Sequence, residues 1–283
     1  MMKRVMSLRK GLPALLAIAV VGLAGCLPKP EEPIEWLERE DAVIVQMKTV
    51  ESAESELAQR LAVPDFTLYG DGTLIYIRRD ASDGQTQLLQ AKLPEDAVRD
   101  LLEFIVDKDF PVFGYQQPTP ERETERPTTY LYVHTKLEAN AVGAYALDSV
   151  LPEDAGKEWE QFRRLQGINE RLDEARAVAE GQSEFVPEAV VLFVEPTDPP
   201  EVVGSVAEWP IAGIDLAAIA PAGSGLVERR IDGSEAGQAY DGIILGATQA
   251  SVVGPFRQED RYFFVGLRPI LPFEEHFPEF EGP

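Results

Sequence analysis

One cysteine and two histidines are the whole inventory of thiol and imidazole groups in this chain: Cys26, His134 and His276. The two histidines lie far apart, and no His-Glu-x-x-His pair occurs, so zinc hydrolysis has no support. A G-x-S-x-G elbow, a P-loop and a G-x-G-x-x-G turn are all missing, which leaves serine hydrolysis and nucleotide binding without a carrier. Gly223-Ser224-Gly225 reads as a glycine turn rather than a nucleophile. Glu121, Glu123 and Glu125 offer oxygen ligands but lack the spacing and turn glycine of a calcium loop, and Arg122 and Arg126 neutralise them. Asp71, in Gly70-Asp71-Gly72, is the carboxylate with the most marked setting, and a tight hairpin turn accounts for it. Arg268 is expected in a salt bridge at the edge of a core. His134 and Arg268 are kept as ligand candidates. No catalytic residue, metal or cofactor is expected.

Cys26 has a stronger context. Lys3, Arg4, Arg9 and Lys10 precede an apolar run over residues 11–22, with small residues before the cysteine, the pattern of an export signal. That run is shorter than the roughly 20 apolar residues a membrane span needs. Leu23-Ala24-Gly25-Cys26 resembles the bacterial lipoprotein signal, in which the cysteine receives a diacylglycerol and becomes the first residue after cleavage. The resemblance implies a lipid anchor at Cys26 and a body held on the extracytoplasmic face of the cell membrane. It also implies a body without free thiol or disulfide, held by its apolar core alone.

Residues 1–25 hold four of the 26 bases and none of the 49 acids, so the chain from Cys26 onward carries a formal charge of −27. That excludes the basic footprint of a nucleic-acid binder and argues against charge-driven binding to anionic lipid. Residues 26–40, rich in Pro and Glu, read as an extended tether, although Trp36 could pack back on the body.

The elements that must position the candidates follow from patterning. Residues 42–50, two strands about Gly70-Asp71-Gly72, and residues 86–92 read as strands. A helix opens at Pro94 with Val98, Leu101, Leu102, Ile105 and Val106 on its apolar face. Strands at 129–135 and 141–147 precede a long helix opening at Pro152, with Trp159, Phe162, Leu165, Ile168, Leu172, Ala175 and Val178 on one face. Strands at 189–195 and 226–231, a short helix over 209–220, a glycine-weakened helix over 234–246 and a hairpin over 251–267 complete the chain. The fold expected is α+β, with mainly antiparallel hairpin-built sheets, helices packed on one face and two similar halves as an option. The boundaries expected are a signal peptide at 1–25, a tether at 26–40, and subdomains at 41–181 and 182–283.

The segment Phe66–Thr73 (FTLYGDGT), with Trp209-Pro210-Ile211 and the closing Leu267–Glu274 (LRPILPFE), resembles a group of uncharacterised secreted proteins and lipoproteins from Gram-positive-type bacteria. Phe273 replaces an acid of that group's pattern. The resemblance implies an envelope protein and assigns no catalytic residue. The function expected is a membrane-anchored lipoprotein that acts as a non-enzymatic interaction or accessory module with an envelope protein partner. A small-ligand or divalent-cation-binding lipoprotein is the alternative, and a carboxylate-based hydrolase stands behind both.

Overall fold

The computed structural model describes residues 34–50, 60–79, 86–114, 126–151, 156–199, 206–244 and 252–276. Leu23, Ala24, Gly25 and Cys26 and the Glu121–Glu125 run lie outside the described residues. From Ile34 to Pro283 the chain forms one compact unit.

The fold is α+β with two mostly antiparallel sheets. The first has seven strands: β1 (Val43–Val50), β2 (Phe66–Tyr69), β3 (Thr73–Arg79), β4 (Thr86–Lys92), β5 (Thr128–His134), β6 (Ala139–Tyr145) and β7 (Glu180–Glu184). Their order across the sheet is β6-β5-β1-β2-β3-β4-β7. The second contains β8 (Ala189–Thr197), β9 (Ala207–Glu208), β10 (Val227–Asp232), β11 (Val252–Gln258) and β12 (Arg261–Pro269), in the order β10-β8-β12-β11-β9. Among the described strands only β9 and β11 run parallel.

Each sheet buries one face under helices. On the first, α1 (Glu95–Asp107) sets Val98, Leu101, Leu102 and Ile105 against Ile44, Phe66, Leu68 and Leu74. Beside it, α2 (Glu160–Val178) adds Phe162, Leu165, Ile168 and Leu172. These are the three- and four-residue steps that put apolar side chains on one helical stripe. On the second sheet, α3 (Leu216–Ile219) and α4 (Ser234–Ile244) cover Val190, Leu192, Val194, Phe263, Val265 and Leu267.

The inner faces carry two smaller clusters. Val43, Tyr69, Ile75 and Leu88 of the first sheet pack with Val63, Phe185 and Leu271. Val191 and Phe193 of the second pack with Leu61. The short stretch from Leu61 to Val63 therefore reaches both inner faces. Leu61 sits so close to β12 that a Cβ on Gly266 would lie 2.6 Å from its Cδ1.

Several elements differ from the expectation. Helix α2 begins at Glu160, after a 3-10 turn over Lys157–Trp159, rather than at Pro152; residues 152–155 lie outside the described part. In the 209–220 stretch only Leu216–Ile219 is helical, because the Asp215 carboxylate caps the helix there, accepting from Ala217 N at 2.9 Å and Ala218 N at 3.1 Å. Strand β7 (EGQSE) is wholly exposed and shows no apolar alternation; only its pairing with β4 reveals it. The Gly70-Asp71-Gly72 turn also differs from a two-residue primed turn. Asp71 has no positive φ; Gly72 alone does, at 86°. With Gly72 N donating to Tyr69 O at 2.9 Å, the geometry is a three-residue loop closed by a left-handed glycine.

Candidate functional site

The Tyr69–Gly72 turn is a junction of four segments. Gly70 N donates to Ala42 O at 2.8 Å, and the Gly70 carbonyl accepts from Trp36 Nε1 at 3.0 Å. The backbone of residues 37–39 lies directly on Gly70: a Cβ there would come within 1.7 Å of Leu37 O. Leu93 N donates to Gly72 O at 2.8 Å, tying in the start of α1. Trp36 is buried, so the chain from Ile34 onward belongs to the body rather than to a free tether.

Asp71 serves this junction. Its carboxylate accepts from Thr73 N and Thr73 Oγ1, both at 2.9 Å, and from Lys92 Nζ at 2.7 Å. Burial pushes its pKa up, but the bonds from Lys92 and Thr73 outweigh that and hold it below the usual carboxylate range. A carboxyl so held supports the fold above its unfolded pKa, near 4, and loses that support as pH falls through its lower folded pKa. Asp71→Asn is therefore expected to cost about 1 kcal/mol at neutral pH. The gap from the unaltered chain should close as pH falls from about 5 to 3 in urea melts. A gap that stayed constant with pH would refute the charge-based role.

The closing segment reaches the same turn. Tyr69 Oη donates to Pro272 O at 2.8 Å, and its ring meets Phe273 edge-on at 6.3 Å. Burial pushes the Tyr69 phenol well above its ordinary pKa, so it stays a donor. Arg268 lies in a salt bridge with Glu274 at 2.5 Å, both side chains largely buried, and Glu274 Oε2 also accepts from Leu271 N at 3.1 Å. Two of the three sequence segments singled out above thus meet in space. The third is separate: Trp209 Nε1 donates to Ile214 O at 3.0 Å inside the core of the second sheet.

The first sheet also holds a buried polar pair that the sequence reading missed. Gln46 and Thr67 face each other across β1 and β2, only 1% and 0% exposed, and Gln46 Nε2 and Thr67 Oγ1 have no hydrogen-bond partner among the described residues. Arg268 Nε is likewise buried and unpartnered. Lys48, half-buried, follows Gln46 on the same face of β1. Burial and the Arg268 charge push its ammonium below the ordinary lysine value, against the pull of Glu274 and Asp65. Gln46 and Lys48 break the apolar run of β1 at alternate positions, and that spacing could have flagged them.

His134 stands apart at the end of β5, its ring edge-on to Tyr132 at 6.0 Å. His276 ends the short 3-10 turn over Glu274–His276. Asp71, His134 and Arg268 make no hydrogen bond or ion pair with one another. Among the described residues no group of three or more His, Cys, Asp or Glu side chains is placed to hold a metal ion, and no helix is long and apolar enough to cross a membrane. A small cleft beside Ile105, Pro111, Val133 and Glu138 holds about 10 Å³, room for one water. No protein-family model, curated protein or solved structure matches the chain.

Proposed function

We propose that this chain is a lipid-anchored protein on the outer face of the cell membrane, acting as a non-enzymatic interaction or accessory module. One observation supports the module reading most directly: the residues most marked for chemistry are spent on holding the fold. Asp71 is taken up by Thr73 and Lys92, and Arg268 by Glu274. The Asp71 turn also carries the contacts that seat Trp36, where the described chain enters the body. The anchored reading rests on the residues up to Cys26. Its test is metabolic labelling with an alkyne fatty acid, followed by crosslinking and pull-down from membranes, for the unaltered chain and for Cys26→Ala. Acylation lost in Cys26→Ala, together with a partner recovered only from the anchored form, is the expected result. An unlabelled Cys26 overturns the anchor.

A second reading, a small-ligand-binding lipoprotein, is favoured by Gln46 Nε2, Thr67 Oγ1 and Arg268 Nε, unpartnered among the described residues, with Lys48 following Gln46 on β1 and within electrostatic reach of Arg268. Three donors and a half-buried ammonium suit a carboxylate or phosphate. Lys48→Met removes a cation held beside another cation. It is expected to stabilise the ligand-free protein by about 1 kcal/mol while abolishing any thermal shift given by a panel of carboxylates and phosphate. Absence of any shift in the unaltered chain removes this reading.

A further inference from the structure

Leu137 sits where a hairpin apex should be polar. It is 90% exposed, at the tip of the β5–β6 turn. Turn apices ordinarily carry Gly, Asn, Asp or Ser, and an apolar apex gains nothing from water. This apex is also rigid. Thr135 N donates to Glu138 O at 2.8 Å, and Glu138 N donates to Thr135 Oγ1 at 3.1 Å. Lys136 N then donates to Glu35 O at 2.9 Å, and Lys136 Nζ bonds Glu35 Oε2 at 2.6 Å. The tip is thus fastened to the first turn of chain in the body, and Leu137 is presented rather than free to fold back.

The same end carries a second exposed apolar side chain. Val112, 76% exposed, lies in the short 3-10 turn over Phe110–Val112. Asn140 Nδ2, at the start of β6, donates to Phe110 O at 2.9 Å and Phe113 O at 3.1 Å, fixing that turn beside the hairpin tip. Register places the Gly70–Gly72 turn at this end too, since Val43 pairs with Tyr69 and Val45 with Val133. Cations here are already paired: Lys136 with Glu35, Lys92 with Asp71.

We infer that this end of the body faces the bilayer, with Leu137 and Val112 entering the headgroup layer as fixed apolar points. The inference rests on the lipid anchor proposed for Cys26. Seven residues lie between Cys26 and Ile34, eight chain steps, so the membrane surface is within about 28 Å of Ile34 even with that stretch fully extended. The partner is a zwitterionic bilayer, because a chain charged at −27 is repelled by anionic lipid. Two buried side chains would not hold a protein on a membrane alone; beside acyl chains they set its orientation.

The experiment uses the lipidated chain in phosphatidylcholine vesicles. An acylated Cys26 leaves a newly introduced cysteine as the sole reactive thiol. Leu137→Cys, Val112→Cys and Val150→Cys are each labelled with an environment-sensitive dye. Val150 is the control: it is 95% exposed and follows β6, at the opposite end of the sheet. Brominated phosphatidylcholine is expected to quench the dye at positions 137 and 112 at least about twofold more than at 150. Hydrogen exchange of the unlabelled lipidated chain checks the result without a dye, and the 136–138 amides should slow on vesicles. Equal quenching at all three positions, in protein shown by mass to be diacylated, overturns the inference alone. A Cys26 found unacylated overturns the anchored reading and this inference with it.

Discussion

Gly70→Ala is expected to destabilise the body by about 3 kcal/mol or more, the largest effect of any single methyl group in the described structure. The added Cβ would lie 1.7 Å from Leu37 O and 2.8 Å from Arg39 O, both backbone atoms that cannot swing aside as a side chain would. Relief requires one of two movements. The turn-containing stretch over residues 37–42 lifts away, breaking the bond from Gly70 N to Ala42 O and unseating the buried Trp36. Otherwise the turn shifts, pulling Gly72 O from Leu93 N and loosening the start of α1. Either way a buried aromatic or a backbone ladder is lost. For a body of this size the cost corresponds to a fall in Tm of roughly 6–12 °C. Tryptophan emission should shift to the red, because Trp36 loses both its indole bond and its cover. Gly167→Ala is the control: it lies inside α2, a Cβ there meets nothing within 4 Å, and alanine is the better helix former, so about 0.5–1 kcal/mol of stabilisation is expected. Urea melts that place Gly70→Ala within about 1 kcal/mol of the unaltered chain would refute the packing account.

The strands and helices built on strong periodicity were legible before any coordinates. The stripe through Val98, Leu101, Leu102 and Ile105 lies where the spacing puts it, and so does the antiparallel pairing about Gly70–Gly72. The Asp71 turn and the Arg268 salt bridge were legible as structural features. What the sequence could not carry is long-range. Residues 69 and 272 are 203 positions apart, and no local pattern says that the Tyr69 hydroxyl donates to the Pro272 carbonyl. Strand β7 is polar throughout, and its state is decided by β4 alone. Gln46 and Thr67 are polar side chains that only the fold strips of water. Gly70 read as a turn glycine; its need arises from residues 37–39, which pass across it.

Glu274→Gln and Arg268→Met remove opposite ends of one ion pair, yet their expected costs differ. The pair is 2.5 Å long, with side chains 15% and 23% exposed, so each charge relies on its partner more than on water. Lys48 breaks the symmetry. When Arg268 becomes Met, Glu274 keeps a cation nearby in Lys48 and keeps the Leu271 amide, so the loss is expected to be about 1 kcal/mol. When Glu274 becomes Gln, two cations face each other in a largely dry site, and a loss of about 3 kcal/mol is expected. Adding Lys48→Met to Glu274→Gln should then return part of that loss, a rescue that packing alone does not provide. The alkaline response separates the cases further. Lys48 is held below its unfolded pKa, so the unfolded chain binds the extra proton and stability rises with pH up to about 10.4. That rise should be steepest in Glu274→Gln, where the opposing carboxylate is gone, and absent in every variant lacking Lys48. Equal losses for Glu274→Gln and Arg268→Met, with no rescue by Lys48→Met, would mean that Lys48 is electrically separate from the pair. The inter-sheet polar group would then reduce to a single salt bridge.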